Sequence, residues 1–326
     1  MERRALDPTF TDHLTASLGG PRTSRLLTEL DQFIPWADLC APLAGLYAPQ
    51  PNGGRQPWPV GLMVKCLLLQ RWFGLSDPQL EEPWRDRLSF RRFVGLSLED
   101  ATPDETTFVV FRRRLRERGL EQTLFERALA LLTARGLVVR EGTLVDATLL
   151  HAPRGGGSRG KTGPSAADAH GDPDATTTVK GGQLYHGYKA HVASDPRGLI
   201  TGCTLDTAKV HDSCHFLEFV GEAQGYVAAD SAYWSRAHEA ALRERGLIPA
   251  LLARRVRGQT ELDPVDALGN RIFAGLRAPI EHVFARLKQT MGYRRVRYRG
   301  LVRNQADLTL TALAYNFRRA LALAPP

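Results

Sequence analysis

Between residues 143 and 253 the chain alternates short apolar runs with amphipathic stretches, and this alternation constrains its fold more than any other feature. Runs at 143–150, 183–193, 199–205 and 248–253, and a further one ending at Asp230, have strand length and composition. The second and third are joined by the turn signal Asp195-Pro196-Arg197-Gly198. Helical periodicity is read near 213–223 and 235–245, around Glu281, and over 308–323. The order is strand, strand, strand, helix, strand, helix, strand, helix. Such an order predicts an α/β domain, a mixed sheet with helices on its faces.

The region before it has a different texture. Residues 1–138 read as mostly α-helical, with apolar helical stretches at 26–34 and 59–73 separated by Pro/Gly-rich breaks near 49–54, Pro78 and Pro83. Thr102-Pro103-Asp104-Glu105 looks like a helix start, with Thr102 as cap, Pro103 at the first position and Glu105 three after the cap. The helix after it is expected to bury Phe108, Val109, Phe111 and Leu115 and to be ringed by arginines from Arg112 to Arg118. Another helix is expected over 120–135, closing at Gly136. Two domains are therefore expected, 1–138 and 139–326. The second carries a mobile loop at about 154–182, where large apolar residues are almost absent, and a basic C-terminal segment. There is no internal repeat.

The formal net charge of +8 points to a polyanionic partner, and the charge is clustered. From Arg277 to Arg319 there are ten Lys or Arg against two acids, Glu281 and Asp307. A charge run by itself is more often a solvated face, so the argument for DNA needs chemistry beside it. The cysteines, Cys40, Cys66, Cys203 and Cys214, have neither zinc-site spacing nor a disulfide framework and read as thiols in a reducing compartment. No basic-then-apolar leader is seen, and no apolar run is long enough to span a bilayer. The expectation is a cytoplasmic, nucleoid-associated protein.

The stretch Arg277-Ala278-Pro279-Ile280-Glu281-His282-Val283-Phe284-Ala285-Arg286-Leu287-Lys288 carries the chemical signal. Ile280, Val283, Phe284, Leu287 and Met291 supply a buried stripe at helical spacing. Glu281 and Lys288, seven residues apart, return to nearly the same face about 10 Å along the axis, suited to a metal ion and a phosphate. Upstream, Asp146 and Asp230 each end or interrupt a strand-like apolar run. Taken singly, each acid has a bland reading as a turn cap or a solvated helix residue. Taken jointly, Asp146, Asp230 and Glu281 form a hard oxygen donor set, suited to Mg²⁺ or Mn²⁺ and to phosphoryl transfer with two ions.

These residues sit within a series of motifs that resembles the DDE transposases of bacterial insertion sequences, of the insertion-sequence-five type. The pieces are Leu144-Val145-Asp146-Ala147-Thr148, Tyr185-His186-Gly187-Tyr188-Lys189-Ala190-His191, Val210-His211-Asp212-Ser213, Ala229-Asp230-Ser231-Ala232-Tyr233, Arg277-x3-Glu281-x6-Lys288, and the run from Gly292 to Leu301 with Asn304 and Ala314-Tyr315-Asn316 beyond. Each alone is weak; six in order, over nearly the whole chain, are specific. The resemblance implies a ribonuclease-H-like catalytic core with Asp146, Asp230 and Glu281 as catalytic, metal-holding residues. It also implies Arg277 and Lys288 on terminal DNA, and end recognition by the N-terminal helices. The chain departs from the wider pattern in having Ala274 where a tyrosine stands three before the arginine, and Ser231-Ala232 between Asp230 and Tyr233.

Further DNA contacts are expected from Arg294, Arg295, Arg297 and Arg299, interleaved with Tyr293 and Tyr298 that can stack on bases. Arg112 and Arg113 form a second candidate face. Tyr185, Lys189 and His191 are read as substrate-facing, His186 as structural, and Asp212 as the cap of the next helix. The expected partners are double-stranded DNA, at element ends and target, and a second copy of the chain when two ends are paired. A nuclease without strand joining and an inactive DNA-binding regulator are the alternatives.

Overall fold

The computed structural model describes residues 22–47, 56–153, 171–221, 224–255 and 260–324. The chain divides into two units, Met1–Leu131 with Leu313–Pro326, and Leu132–Ala312. The first unit is helical, with α1 (Arg22–Phe33), α2 (Trp36–Cys40), α3 (Val60–Phe73), α4 (Asp77–Glu81), α5 (Pro83–Asp86), α6 (Leu88–Val94), α7 (Glu105–Glu117) and most of α8 (Leu120–Ala134). Helix α3 is apolar almost all round, which makes it the centre of this unit, and residues from Leu62 to Trp72 are buried with few exceptions. Trp72 and Trp36 both meet Phe93 edge-on, with centroids 5.6 and 5.7 Å away. The Trp72 indole also donates to the Ala314 carbonyl at 2.8 Å, so the returning C-terminal stretch belongs here. A single cut near residue 138 does not describe that division.

Helix α7 begins two residues later than its sequence signal. Asp104 is the cap, its carboxylate accepting from Thr107 N at 2.7 Å, and Thr102 and Pro103 stay outside the helix. Val109, expected inside, is 53% exposed, whereas Arg112 turns inward.

The second unit is built on strands β1 (Gly142–His151), β2 (Thr176–Lys180), β3 (Gln183–Ser194), β4 (Ile200–Thr207), β5 (Tyr226–Ala229) and β6 (Ile248–Leu251). The sheet runs β2-β3-β1-β5-β6, with β4 also paired to β3. β1 is antiparallel to β3 and parallel to β5, and β5 is parallel to β6. Helices α9 (Phe216–Val220) and α10 (Arg236–Glu244) are followed by α11 (Pro264–Gln289) and α12 (Leu301–Leu323). This is the mixed, helix-flanked sheet of the ribonuclease-H-like fold.

Strand β2 lies inside the segment whose composition reads as a loop. It forms a hairpin with β3, Thr176 opposite Gly187 and Lys180 opposite Gln183, across Gly181 and Gly182 at φ +58° and +75°. Its sequence, Thr-Thr-Thr-Val-Lys, is polar because β2 is an edge strand with no fully buried side chain. Residues 154–170 of the expected loop lie outside the described residues.

Side-chain alternation divides the sheet into two faces. Val145, Ala193, Val227 and Ala229 pack with Phe216, Val220, Tyr233 and Leu242 in one core. The neighbouring positions Asp146 and Ala228 must face the other way. Helix α11 packs across β1, β5 and β6. After α11 the chain returns to the end of β1, where Val296 N donates to His151 O at 2.9 Å and His151 N to Arg294 O at 3.2 Å. Asp172 and Asp174 accept from Gly300 N and Leu301 N and so cap α12. No described helix is long and apolar enough to cross a membrane.

The Gly187 of the Tyr185-His186-Gly187 motif has a backbone reason. Its φ is +152°, and a Cβ there would lie 2.0 Å from Leu150 O and 2.7 Å from Ala152 N. Gly187→Ala should therefore destabilise the protein by at least about 2 kcal/mol, from strain and overpacking together. Urea denaturation checks this; an unchanged midpoint contradicts it.

Candidate active site

Two carboxylates are brought together by strand register. Val145 on β1 is paired with Ala229 on β5 in a parallel ladder, so the next residues, Asp146 and Asp230, fall at adjacent positions. Each aspartate accepts the following backbone N–H through Oδ1: Asp146 from Ala147 at 2.7 Å, Asp230 from Ser231 at 2.5 Å. For Asp230 this caps the short 3-10 turn Ser231–Tyr233. Those bonds orient the two carboxylates.

Burial raises the Asp146 carboxyl above its ordinary value, and the Asp230 charge raises it further, against the Ala147 N–H, Arg277 and Lys180. Two like charges held in a half-buried setting are unstable without cations. One cation is already there: Arg277 Nη2 lies 3.2 Å from Asp146 Oδ2, with Arg277 only 7% exposed.

Arg277 is presented by α11, whose stripe Ile280, Val283, Phe284 and Leu287 is buried as the periodicity requires. Met291 is buried too, just past the helix end. At 3.6 residues per turn, Glu281 lies about 40° and Lys288 about 20° around the helix from Arg277. All three therefore share the side of α11 that meets Asp146. Glu281 is exposed and Lys288 half-buried. Burial lowers the Lys288 pKa, helped by Lys180 and Arg294, while Asp146 opposes. Lys180 and Lys288 thus place positive charge beside Asp146, with Arg294 beside Lys288, as a phosphate-binding surface requires.

Lys180 was not among the sequence candidates, because it lies at the end of β2 in the segment read as a loop. Its signal was faint: a lysine before Gly181-Gly182, visible only once that pair is taken as a hairpin turn. Arg294, Arg295 and Arg299 are exposed beside the end of β1, and Arg297 is half-buried. Arg113 is exposed on α7 and lies 3.8 Å from Glu117.

Other candidates sit elsewhere. Arg112 is 7% exposed, its guanidinium forked onto Asp77, so it belongs to the helical core and not to a DNA face. Tyr293 is 3% exposed and cannot stack on a base, whereas Tyr298 is half-buried and tied through its backbone to Asn304. Lys189 Nζ is held by Asp212 at 2.6 Å and by the Val210 carbonyl at 2.6 Å. It is engaged in fixing the turn after β4, on the sheet face away from Asp146. Asp212 is not the cap there: His211 Nδ1 accepts from Ser213 N, and Asp212 starts the 3-10 turn Asp212–His215. His191 is 0% exposed and, being opposite Ala147, also faces away from Asp146. Tyr185 is half-buried with its ring 5.4 Å from that of His151, and His186 bonds Thr177 Oγ1 at 3.1 Å.

A mixed sheet in this order, with aspartates at matched positions of β1 and β5 and a helix bearing Arg277 and Glu281 across them, defines a ribonuclease-H-like enzyme core. Residues 139–317 match the family described as Transposase DDE domain, and residues 20–114 match the one described as Transposase domain (DUF772). The chain belongs to the DDE transposase family, and its activity class is that of a DDE-type polynucleotidyl transferase. No solved structure matches it.

Proposed function

We propose that this transposase, of the insertion-sequence-five type, binds the terminal inverted repeats of its own element, cleaves strands at their ends and joins them to target DNA. We assign Asp146, Asp230 and Glu281 as the residues that hold divalent metal for both steps. The observation that carries this reading is the register match of Asp146 and Asp230, with Arg277 of the Glu281 helix ion-paired to the first. A half-buried pair of carboxylates with only oxygen donors fits small hard cations, Mg²⁺ or Mn²⁺ and two of them, better than zinc or copper. Bound there, such ions supply activation of an attacking oxygen and stabilisation of a leaving one.

The chain's own residues do the rest. Backbone N–H groups of Ala147 and Ser231 fix the carboxylate orientation. Arg277 holds Asp146 Oδ2 until the substrate is in place and is then free to turn to a phosphate. Lys288, Lys180 and Arg294 position the scissile phosphate by charge. Arg295, Arg297 and Arg299 track the adjacent backbone, and the N-terminal helical unit, with Arg113 on its surface, contacts the element end. Two copies of the chain pair two ends.

The test is cleavage of labelled duplex bearing the element's ends with Mg²⁺, Mn²⁺ or EDTA. Nicking at the boundary that needs metal supports the reading, and joining of pre-cut ends separates a transposase from a nuclease. Tight binding without cleavage in either metal would favour the regulator. Binding itself should fall about 10³–10⁵-fold between 50 and 200 mM salt, if about six to ten phosphates are contacted. A flat salt response in a filter-binding titration would remove the basic residues from the interface.

A further inference from the structure

On the sheet face away from Asp146, three potential metal ligands converge. His191 lies on β3, Asp206 on β4 and His215 at the end of the turn Asp212–His215, and one ligand atom of each lies within 4.8 Å of the other two. Register explains two of them: His191 is opposite Thr204 and Asp206 is two residues on, so both point to the same face. The third comes from the turn leading into α9.

Two observations single this cluster out from ordinary polar packing. His191 is fully buried, and neither Nδ1 nor Nε2 has a hydrogen-bond partner among the described residues. An imidazole desolvated in this way normally bonds through at least one nitrogen, and leaving both orphaned is unfavourable unless something binds there. Its ring lies 5.1 Å from that of His215. His215, in turn, contacts Asp206 through Nε2 and Glu218 through Nδ1, the latter at 2.8 Å. A carboxylate on the far nitrogen is the arrangement that orients and strengthens a metal-ligating imidazole. The nearby cation, Lys189, is neutralised by Asp212.

We propose that His191, Asp206 and His215 form a second, structural metal site for a borderline transition-metal cation, Zn²⁺ foremost. Two imidazoles and one carboxylate with a water make a four-coordinate set for zinc, and imidazole ligation disfavours Mg²⁺. Entry of the ion requires only that His215 Nε2 and Asp206 Oδ2, now in direct contact, part to admit it. The ion would tie β3, β4 and the turn before α9 into one block behind β1. Its chemistry is thus distinct from the all-oxygen carboxylate set on the opposite face.

Co²⁺ titration of the chelator-stripped full-length chain tests this without reference to activity. Visible bands of tetrahedral cobalt that saturate at one equivalent are expected, with Zn²⁺ displacing that cobalt and abolishing them. The bands should persist in Asp230→Asn and vanish in His215→Gln, with far-ultraviolet circular dichroism confirming the fold. Glu218 is largely exposed, so Glu218→Gln leaves packing intact and should weaken Co²⁺ by about 10–100-fold. Absence of tetrahedral bands in the wild type overturns the proposal. So do bands that survive His215→Gln with Co²⁺ affinity unchanged in Glu218→Gln, and bands lost in Asp230→Asn.

Discussion

Asp230→Asn and Asp146→Asn should each lose strand cleavage by at least about a thousandfold, about 4 kcal/mol of barrier, while binding the end duplex like the wild type. Asparagine keeps the side-chain oxygen that accepts the following N–H, so the Ser231–Tyr233 turn and the strand end stay in place. What it removes is the negative charge that attracts divalent metal. Asp230→Ala confounds the two, because loss of a cap alone costs about 0.5–2 kcal/mol of stability. Glu281→Gln should fall in the same range, since Glu281 is exposed and makes little contribution to packing. Effects within one metal-holding set are not additive, so the Asp146→Asn/Asp230→Asn double variant should be barely worse than either single one. Retention of wild-type cleavage by Asp230→Asn would sink the proposed mechanism outright. Loss of end binding in the same variant would instead mark Asp230 as structural.

Arg112→Ala should destabilise the helical unit by about 3–5 kcal/mol, the range for breaking a buried ion pair from one side. Arg112 donates to Asp77 Oδ1 at 2.7 Å and Gln70 Oε1 at 3.2 Å, and its other Nη meets Asp77 Oδ2. Gln70 completes the network by donating to Asp77 Oδ1 at 2.6 Å. Burial alone would raise the Asp77 carboxyl; Arg112, Gln70 and Arg71 outweigh it and hold the group below its ordinary value. A depressed folded-state pKa means stability that is present above the unfolded carboxyl's pKa and lost as pH falls through the folded one. The wild type should therefore weaken in acid. Arg112→Ala, where burial is left unopposed by that guanidinium, should lose this part of the acid sensitivity.

Arg112→Lys should recover little, because an ammonium cannot fork onto both carboxylate oxygens. Replacing both partners by leucine should recover much of the loss. Four of the five tryptophans, Trp36, Trp58, Trp72 and Trp84, lie in this unit, so intrinsic fluorescence during urea unfolding reports it directly. A loss under about 1 kcal/mol would show that the pair only packs and does not hold the helices together.

Arg112 also illustrates where sequence reading stops. From the sequence it is one of five arginines ringing an amphipathic helix, and a ring of charge reads as a solvated or DNA-facing surface. The structure turns it inward because Asp77, 35 residues away in the chain, sits where α4 meets α7. Tyr293 and Lys189 follow the same logic. Tyr293 is buried within a segment whose composition suits DNA, and Lys189 is held by Val210 and Asp212, more than twenty residues on.

What the sequence determined by itself is what depends on local period and on the order of elements. Strand-length apolar runs, the stripe Ile280-Val283-Phe284-Leu287, and the order of strands and helices apart from the polar edge strand β2 were legible, and with them the mixed sheet, because short-range backbone preference and one-sided burial encode them. The three acids were legible as types in the right elements. Only the tertiary structure decided which groups meet. It set the register that puts Asp146 beside Asp230, the hairpin that brings Lys180 to them, and the alternation that turns His191 to the other face with Asp206 and His215. These are contacts across strands, and a shift of one residue in register would reverse every one of them, while leaving the local pattern of each strand unchanged.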